Sequence, residues 1–478
     1  MYVLCATSWK EYWLTHWNVG LVVSIDMLPD NVLLEIFDFV EDMEEDEGEF
    51  WKLDAWQALV HVCRRWRSVV FGSPRRLKLK LACTNKTPAR ATLDVWPALP
   101  LVFDGGTVNV DNIIGLLECS DRINQISLSG ANWEDILEAM EVPFPELTFL
   151  WLEHSYESEP LLPLSDSFLG GSASRLQSLY LDNIPFPGLP NLLLSTTHLT
   201  YLRLDRILHS GYISPETMVA CLSLLTSLGQ LDLKFQSPQS RPDQESRRPP
   251  PQTRTVLPAL THFWFHGVCE YLEDLVARID APELDFLDIT FFNDIVFDTP
   301  RFTQFLGRTP TMEAFDKATV VLSDDGATIK FSLNTFVGRI LKVGISCGMV
   351  DWQVSFLEQV CTSSLPPLSV LDDLYITNDR SPGDSFDNSS WLELHPFATM
   401  KNLYLSEAIA PHIVPALQEL VAGRVTDVLL NLQNIFVEKL HPSGPVQEGI
   451  GRFIAARQLA GHPITVSRWD RFRHRTRV

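Results

Sequence analysis

A short apolar pattern, Leu-x-x-Leu-x-Leu with other apolar residues also found at the leucine positions, recurs along most of this chain. The complete copies are Ile123, Ile126 and Leu128; Leu147, Leu150 and Leu152; Leu176, Leu179 and Leu181; Leu199, Leu202 and Leu204; Leu228, Leu231 and Leu233; Leu260, Phe263 and Phe265; Leu284, Leu287 and Ile289; Leu371, Leu374 and Ile376; and Met400, Leu403 and Leu405. A weaker copy is Val425, Val428 and Leu430. Self-similarity at a fixed interval predicts a repeat array. The alternative is a set of unrelated amphipathic strands in an α/β domain.

Each copy is predicted to form one short strand whose anchors point into the core, followed by a return segment. Ser214 and Pro215 favour the start of one return helix, whose apolar stripe is Met218, Val219, Leu222 and Leu225. The interval of 87 residues from Leu284 to Leu371 is three times 29. Two degenerate copies are therefore predicted there, at Met312 with Phe315 and at Ile340, Val343 and Ile345.

Other segments flank or interrupt the array. Leu77, Leu79 and Leu81 alternate with lysines, which predicts a strand that caps the first repeat. The proline-rich residues 236–255 and the polar residues 378–390 are predicted to be mobile insertions.

Two amphipathic helices are predicted before the repeats. The first starts at Pro29 and Asp30 and has apolar residues on one face. The second runs from about Asp54 to Gly72. The acidic run at 41–49 is predicted to be a solvated loop, because carboxylates repel one another within a helix. A module this small cannot bury a sufficient core, so it should dock on a partner or on the repeats.

This module resembles an F-box over about residues 26–75, and the repeats resemble the degenerate leucine-rich repeats of fungal F-box proteins. The F-box resemblance rests on Leu28, Pro29, Leu33, Leu34, Ile36 and Phe37, and on Val62, Cys63, Arg64, Arg65, Trp66 and Arg67. The acidic insertion at 41–53 departs from the short connection usual in that family. The alternative is a generic helical hairpin.

The resemblance implies an α/β fold in which a helical F-box module precedes a curved, horseshoe-shaped leucine-rich-repeat solenoid. The expected domains are an unassigned segment 1–25, the module 26–75, the solenoid 76–465 and a basic tail 466–478. The implied function is a substrate receptor of a Skp–cullin–F-box ubiquitin ligase. The residues expected to bind the Skp-type adaptor, and through it a cullin, are Leu28, Pro29, Leu33, Ile36, Phe37, Val62, Cys63 and Trp66.

Composition argues against several other classes. A net charge of −22 disfavours a nucleic-acid partner. The sequence has no stretch of about 18 uninterrupted apolar residues, so no membrane span is expected. The 8 cysteines include no Cys-x-x-Cys pair, and we interpret them as reduced thiols of a cytoplasmic or nuclear protein.

The sequence gives no sign of catalysis. It has neither a phosphate-binding glycine loop nor a Gly-x-Ser-x-Gly motif. His262, His266 and Cys269 have a spacing that could bind a metal, but no second cluster completes four ligands. We therefore expect no enzyme, no cofactor and no metal. A non-degradative interaction scaffold, and an enzyme of unknown type, remain alternatives to the receptor.

The predicted substrate site follows from strand alternation. Residues between the last two anchors should point to the face opposite the core. Aromatic residues are frequent there, and exposed aromatics are typical of protein-binding surfaces. The predicted substrate-binding residues are Trp151, Tyr180, Trp264, Tyr375 and Tyr404. The alternative is that the insertions, or the arginine-rich end at 468–477, cover this face.

Overall fold

The structure is a computed structural model. It describes residues 27–45, 55–73, 76–77, 79–83, 89–95, 98–104, 110–130, 133–155, 163–240, 253–292, 299–312, 315–333, 338–362, 365, 371–380, 399–423, 429, 431–439 and 444–470. The chain divides into two compact units, Met1–Cys83 with Ala91–Val102, and Thr84–Arg90 with Phe103–Val478. The unassigned segment 1–25 lies outside the described residues.

The first unit is mainly helical. Its elements are α1 (Asp30–Glu45), α2 (Ala55–Val62), α3 (Arg64–Gly72) and the short strand β1 (Leu81–Cys83). Helix α4 (Ala89–Val95) and strand β2 (Leu101–Asp104) cross the sequence boundaries between the two units. Leu77, Leu79 and Leu81 are buried as their alternation suggests, although only Leu81 belongs to a strand.

Two predictions for this unit are wrong. The single helix expected from Asp54 to Gly72 is two helices, because Cys63 adopts an extended backbone and its Sγ accepts a hydrogen bond from the Trp66 amide at 3.4 Å. Cys63 thus caps α3. The expected acidic loop is also helical as far as Glu45. Extending a helix that is already nucleated costs little, and glutamate is a good helix former.

The second unit is a mixed α/β structure with a long, mostly parallel sheet. The sheet order is β3-β4-β5-β6-β7-β9-β11-β14-β13-β12-β15-β16-β17-β18. Its strands are β3 (Ile123–Ser129), β4 (Phe149–Glu153), β5 (Ser178–Asp182), β6 (Tyr201–Ile207), β7 (Gln230–Phe235), β9 (His262–Gly267), β11 (Phe286–Phe292), β12 (Lys317–Leu322), β13 (Gly326–Ser332), β14 (Ile340–Ser346), β15 (Asp373–Asn378), β16 (Asn402–Leu405), β17 (Asn434–Glu438) and β18 (Thr465–Trp469). Strand β8 (Thr255–Val256) pairs in parallel with β10 (Ile279–Asp280) in a separate two-stranded sheet.

Helices return the chain between most strands of this unit. They are α5 (Val110–Leu117), α6 (Trp133–Ala139), α7 (Leu189–Ser195), α8 (Pro215–Leu222), α9 (Cys269–Val276), α10 (Pro300–Gly307), α11 (Val350–Thr362), α12 (Ala410–Gly423) and α13 (Pro445–Leu459). They cover the side of the sheet to which the anchors point. Tyr271 of α9, for example, packs against Phe265 with ring centroids 6.0 Å apart.

The anchor residues form much of the hydrophobic core of the second unit. All anchors of the complete copies are at most 4% exposed, so the periodicity identified the buried side of each strand correctly. The return helix at Ser214 is also confirmed. The Ser214 side chain accepts a hydrogen bond from the Thr217 amide at 3.2 Å, and Met218, Val219, Leu222 and Leu225 are buried.

The interval between Leu284 and Leu371 contains more than two simple copies. Strand β14 follows β11 in the sheet, then β13 pairs antiparallel with both β14 and β12, and β12 pairs in parallel with β15. The buried anchors near the first predicted copy are Phe315, Ala318 and Val320. The sequence pattern missed this register because alanine stands at one anchor. Ile340 lies on the opposite face from Leu341 and Val343, so it is not an anchor.

The copy at Val425, Val428 and Leu430 is placed wrongly, and these residues lie outside the described ones. The strand is β17, with Leu432, Ile435 and Val437 buried at the anchor spacing. The predicted tail at 466–478 begins as ordered strand β18, which pairs with β17 as far as Trp469.

Both predicted insertions fall mostly on residues that the structure does not describe. Of 236–255, residues 241–252 lie outside, while Thr255 is in β8. Of 378–390, only 378–380 are described. Within the described ranges no helix combines the length and the apolar character needed to cross a lipid bilayer.

Candidate functional site

The side of the sheet opposite the anchors is called the open face. Its central row is formed by residues that pair in register from strand to strand: Ser127, Trp151, Tyr180, Arg203, Asp232, Trp264, Asp288, Lys342, Lys330, Thr319, Tyr375, Tyr404, Phe436 and Ser467. All five predicted substrate-binding residues belong to this row and are partly exposed. Their use in binding stays a prediction.

The first aromatic group on this face joins Trp151 and Tyr180. Their ring centroids are 4.8 Å apart in an edge-to-face arrangement. The Arg203 guanidinium lies 4.7 Å from the Tyr180 centroid, and the Tyr180 hydroxyl donates to Asp182 at 3.0 Å. Burial and the Asp182 carboxylate raise the pKa of Tyr180 above its usual range.

The second group surrounds Trp264. The His262 ring stacks on both Trp264 and Phe286, with centroid distances of 5.5 and 5.6 Å. The rings of Trp264 and Phe286 are 5.0 Å apart. This group is separated from Tyr180 by strands β6 and β7, so the structure does not bring all the predicted aromatic residues together.

The third group is a stack of rings on neighbouring strands. The rings of Tyr375 and Tyr404 are nearly parallel with centroids 4.1 Å apart, and Tyr404 stacks on Phe436 at 4.5 Å. Trp469 meets the two tyrosine rings edge-on at 5.7 and 5.6 Å. The end of β18 therefore covers part of this group. Phe436 was missed because the last repeat was placed too early in the chain.

A charged network lies between the first and second groups. Arg203 contacts Asp205 at 2.8 Å and Asp232 at 3.3 Å, and Lys234 contacts Asp232 at 2.9 Å. Burial of Asp232 raises the pKa of its carboxyl despite the attraction of Lys234. Asp205 is also desolvated, but its hydrogen bond with Arg203 and the charge of Lys234 outweigh this and lower its pKa.

The Asp205 carboxylate is expected to make the free energy of unfolding depend on pH. A carboxyl whose folded-state pKa is lowered contributes stability above its unfolded pKa, and this contribution is lost as pH falls through the folded value. Asp205→Asn should therefore lower the free energy of unfolding at neutral pH, and the difference from the unaltered chain should shrink below about pH 4. Urea denaturation at a series of pH values measures this. A difference that grew in acid would contradict the assignment.

Three lysines lie on the open face where the antiparallel strands interrupt the sheet. Lys330 of β13 pairs with Lys342 of β14, and Lys317 of β12 pairs with Ser332, two residues from Lys330. Lys342 contacts Asp288 at 2.9 Å. The Lys317 ammonium lies 4.3 Å from the Tyr375 ring centroid. Lys330 has no ion-pair partner within the described part of the chain. The repeat pattern of the sequence does not single out these lysines.

The first unit presents a separate surface. Helix α1 has a buried stripe of Leu33, Leu34 and Phe37 and an exposed apolar stripe of Val32, Ile36 and Phe39 on its opposite side. The Phe37 and Trp66 rings pack 5.0 Å apart. Arg65 holds the start of the helix, because it donates to the Leu28 carbonyl and to Asp30.

The predicted adaptor-binding residues divide between these two environments. Pro29, Ile36 and Val62 are exposed, and Leu28 and Cys63 are partly exposed. Leu33, Phe37 and Trp66 are buried. We expected these residues to lack a sufficient core within the module. That expectation is wrong for Leu33, Phe37 and Trp66, because their side chains are already buried within the protein. Exposed Phe39 was not predicted, although it lies one and two turns from Ile36 and Val32.

The histidines of the suggested metal spacing also face the open side. His262 Nδ1 lies 2.9 Å from the Thr261 hydroxyl, and the His266 ring packs on Phe292 with centroids 4.6 Å apart. Burial lowers the pKa of His266. No group of three or more potential metal-ligating residues is found among the residues described.

Comparison of the sequence with known protein families found no match. Comparison with curated proteins found none either.

Proposed function

We propose that this chain is the substrate receptor of a Skp–cullin–F-box ubiquitin ligase. In this proposal the first unit is an F-box module that binds the Skp-type adaptor, and the second is a degenerate leucine-rich-repeat solenoid whose open face binds a substrate protein. Ubiquitin transfer belongs to partner subunits, and the chain contributes proximity.

The observation that carries the proposal is the pair of apolar stripes on α1. One stripe fills the core of the unit, while Val32, Ile36 and Phe39 face outward on a 16-residue helix that follows Leu28 and Pro29. Apolar residues repeated at helical spacing on an exposed face mark a protein-interaction surface. The sequence resemblance of this segment to an F-box supports a Skp-type adaptor as the proposed partner.

The open face supports the second half of the proposal. Long side chains from neighbouring strands form aromatic groups there, and they are not needed to fill the core. Tyrosine, tryptophan and arginine carry much of the affinity in protein interfaces. A sheet face that spans this many strands offers an extended surface for a protein substrate.

Purification from cells that express the tagged full chain tests the proposal. A ligase receptor is expected to retain both the adaptor and a cullin in stoichiometric amounts. Retention of the adaptor without the cullin would support the scaffold alternative, and retention of neither would overturn the proposal. The chain with Ile36→Asp and Phe39→Asp, which places two charges on the exposed apolar stripe, serves as the matched negative control.

A further inference from the structure

The lysines on β12, β13 and β14 form a basic surface within an acidic protein. On the open face these three strands present Lys317, Lys330 and Lys342 and no carboxylate of their own. On the flanking strands, Asp288 pairs in register with Lys342 and Asp373 with Lys317. The chain as a whole carries a net charge of −22. Among the described residues, Lys330 is therefore the lysine of the three that has no carboxylate paired with it across the sheet, and the positive charge of the group is concentrated there.

Without a bound ligand, the pairing of these lysines lowers the stability of the sheet. Lys330 and Lys342 are direct cross-strand partners, and like charges in that position destabilise a sheet. Asp288 neutralises Lys342 from the next strand at 2.9 Å. Lys317 is held over the Tyr375 ring, partly desolvated. Lys317 and Lys342 therefore each have a partner, whereas the Lys330 ammonium has no ion-pair partner among the described residues.

Aromatic groups flank the lysines on both sides. Trp264 and Phe286 lie on β9 and β11, before the basic surface, and Tyr375 and Tyr404 lie on β15 and β16, after it. Strands β14, β13 and β12 separate β11 from β15. Four spacings of about 4.8 Å give a distance of about 19 Å across the strands. An extended peptide covers this distance in about six residues.

We propose that this part of the open face binds an extended acidic peptide, with carboxylate or phosphate groups on Lys330 and its neighbours and an apolar side chain on each aromatic group. The inference rests on the proposed function, since it names the substrate class of the same face. The lysines attract the acidic groups of the peptide. The aromatic groups at either end fix its position and limit the number of residues between its two apolar side chains.

Fluorescence anisotropy with the purified full chain tests this. The probe is a fluorescein-labelled synthetic peptide with two leucines six positions apart and two glutamates midway. Glutamine at the midway positions is expected to weaken binding at least tenfold, and phosphoserine there should retain binding. Tighter binding of the phosphoserine peptide would assign the anion to phosphate, and tighter binding of the glutamate peptide to carboxylate. Equal binding of the glutamine peptide, or binding of none of these peptides, would overturn the inference.

Variants of the chain complete the test. Lys330→Glu is expected to lose the glutamate peptide and to gain binding of a peptide with lysines midway, a reversal that misfolding cannot produce. Lys330→Gln should weaken binding about tenfold, whereas Lys439→Gln, an exposed lysine paired with Glu407, should leave it unchanged. Trp264→Ala should weaken binding of every peptide. If Lys330→Gln binds as the unaltered chain does, the basic surface is not the site. Adaptor capture measured on the same preparations separates this failure from failure of the proposed function.

Discussion

Replacing Ile36 and Phe39 together by aspartate is expected to abolish capture of a Skp-type adaptor while both units stay folded. The two side chains are 38% and 65% exposed, so neither carboxylate enters the core of the first unit. In the proposed complex the adaptor covers this stripe and would bury both charges without partners. Desolvation of an unpaired polar group costs roughly 2–7 kcal/mol, so binding should weaken at least about a hundredfold.

Co-purification and a direct binding titration with purified adaptor measure the change. The matched control is Leu194→Asp with Leu224→Asp in the second unit, where the leucines are 47% and 44% exposed. This control adds the same two charges at exposed apolar positions and is expected to leave capture intact. Full capture by the α1 variant, with unchanged circular dichroism, would show that the stripe does not contact the adaptor.

The core of the second unit was largely predictable from sequence. Anchors such as Leu202 and Leu287 recur at a spacing that places three apolar side chains on one side of each strand, and burial follows directly from that alternation. The prediction failed where an anchor residue is small and only weakly apolar. Ala318 occupies an anchor without looking like one, and the antiparallel strand β13 has no counterpart in a repeat pattern.

The candidate sites were less predictable, because sequence spacing gives the face of a residue but not its neighbours. Phe37 and Trp66 matched the family motif, yet they pack against each other. Lys330 and Lys342 are neighbours only because β13 inserts between β14 and β12. Trp469 reaches Tyr404 only because the predicted tail continues as a strand. Each of these contacts depends on tertiary pairing between distant segments.

A second large effect is expected from Asp274→Ala in helix α9. Asp274 is buried, accepts a hydrogen bond from Arg301 at 2.6 Å and lies 3.9 Å from the Arg278 guanidinium. Arg278 is itself buried, pairs with Glu216 at 2.6 Å and donates a hydrogen bond to the Asp274 backbone carbonyl at 2.6 Å. Removing the carboxylate leaves a buried cation with less compensation. Breaking one side of a buried ion pair costs about 3–5 kcal/mol, and this loss should appear in the urea denaturation of the second unit.

Asp285→Ala is the matched control, because Asp285 pairs with Arg339 at 3.5 Å on the surface, where both side chains are about half exposed. Exposed pairs contribute roughly 0–1 kcal/mol, so this variant should unfold almost as the unaltered chain does. The double variant Asp274→Ala with Arg278→Met should recover part of the loss, since it also removes the buried guanidinium that has lost one of its neighbouring carboxylates. A double variant less stable than Asp274→Ala alone would mean that packing by the Arg278 side chain, and not its charge, dominates this region of the core.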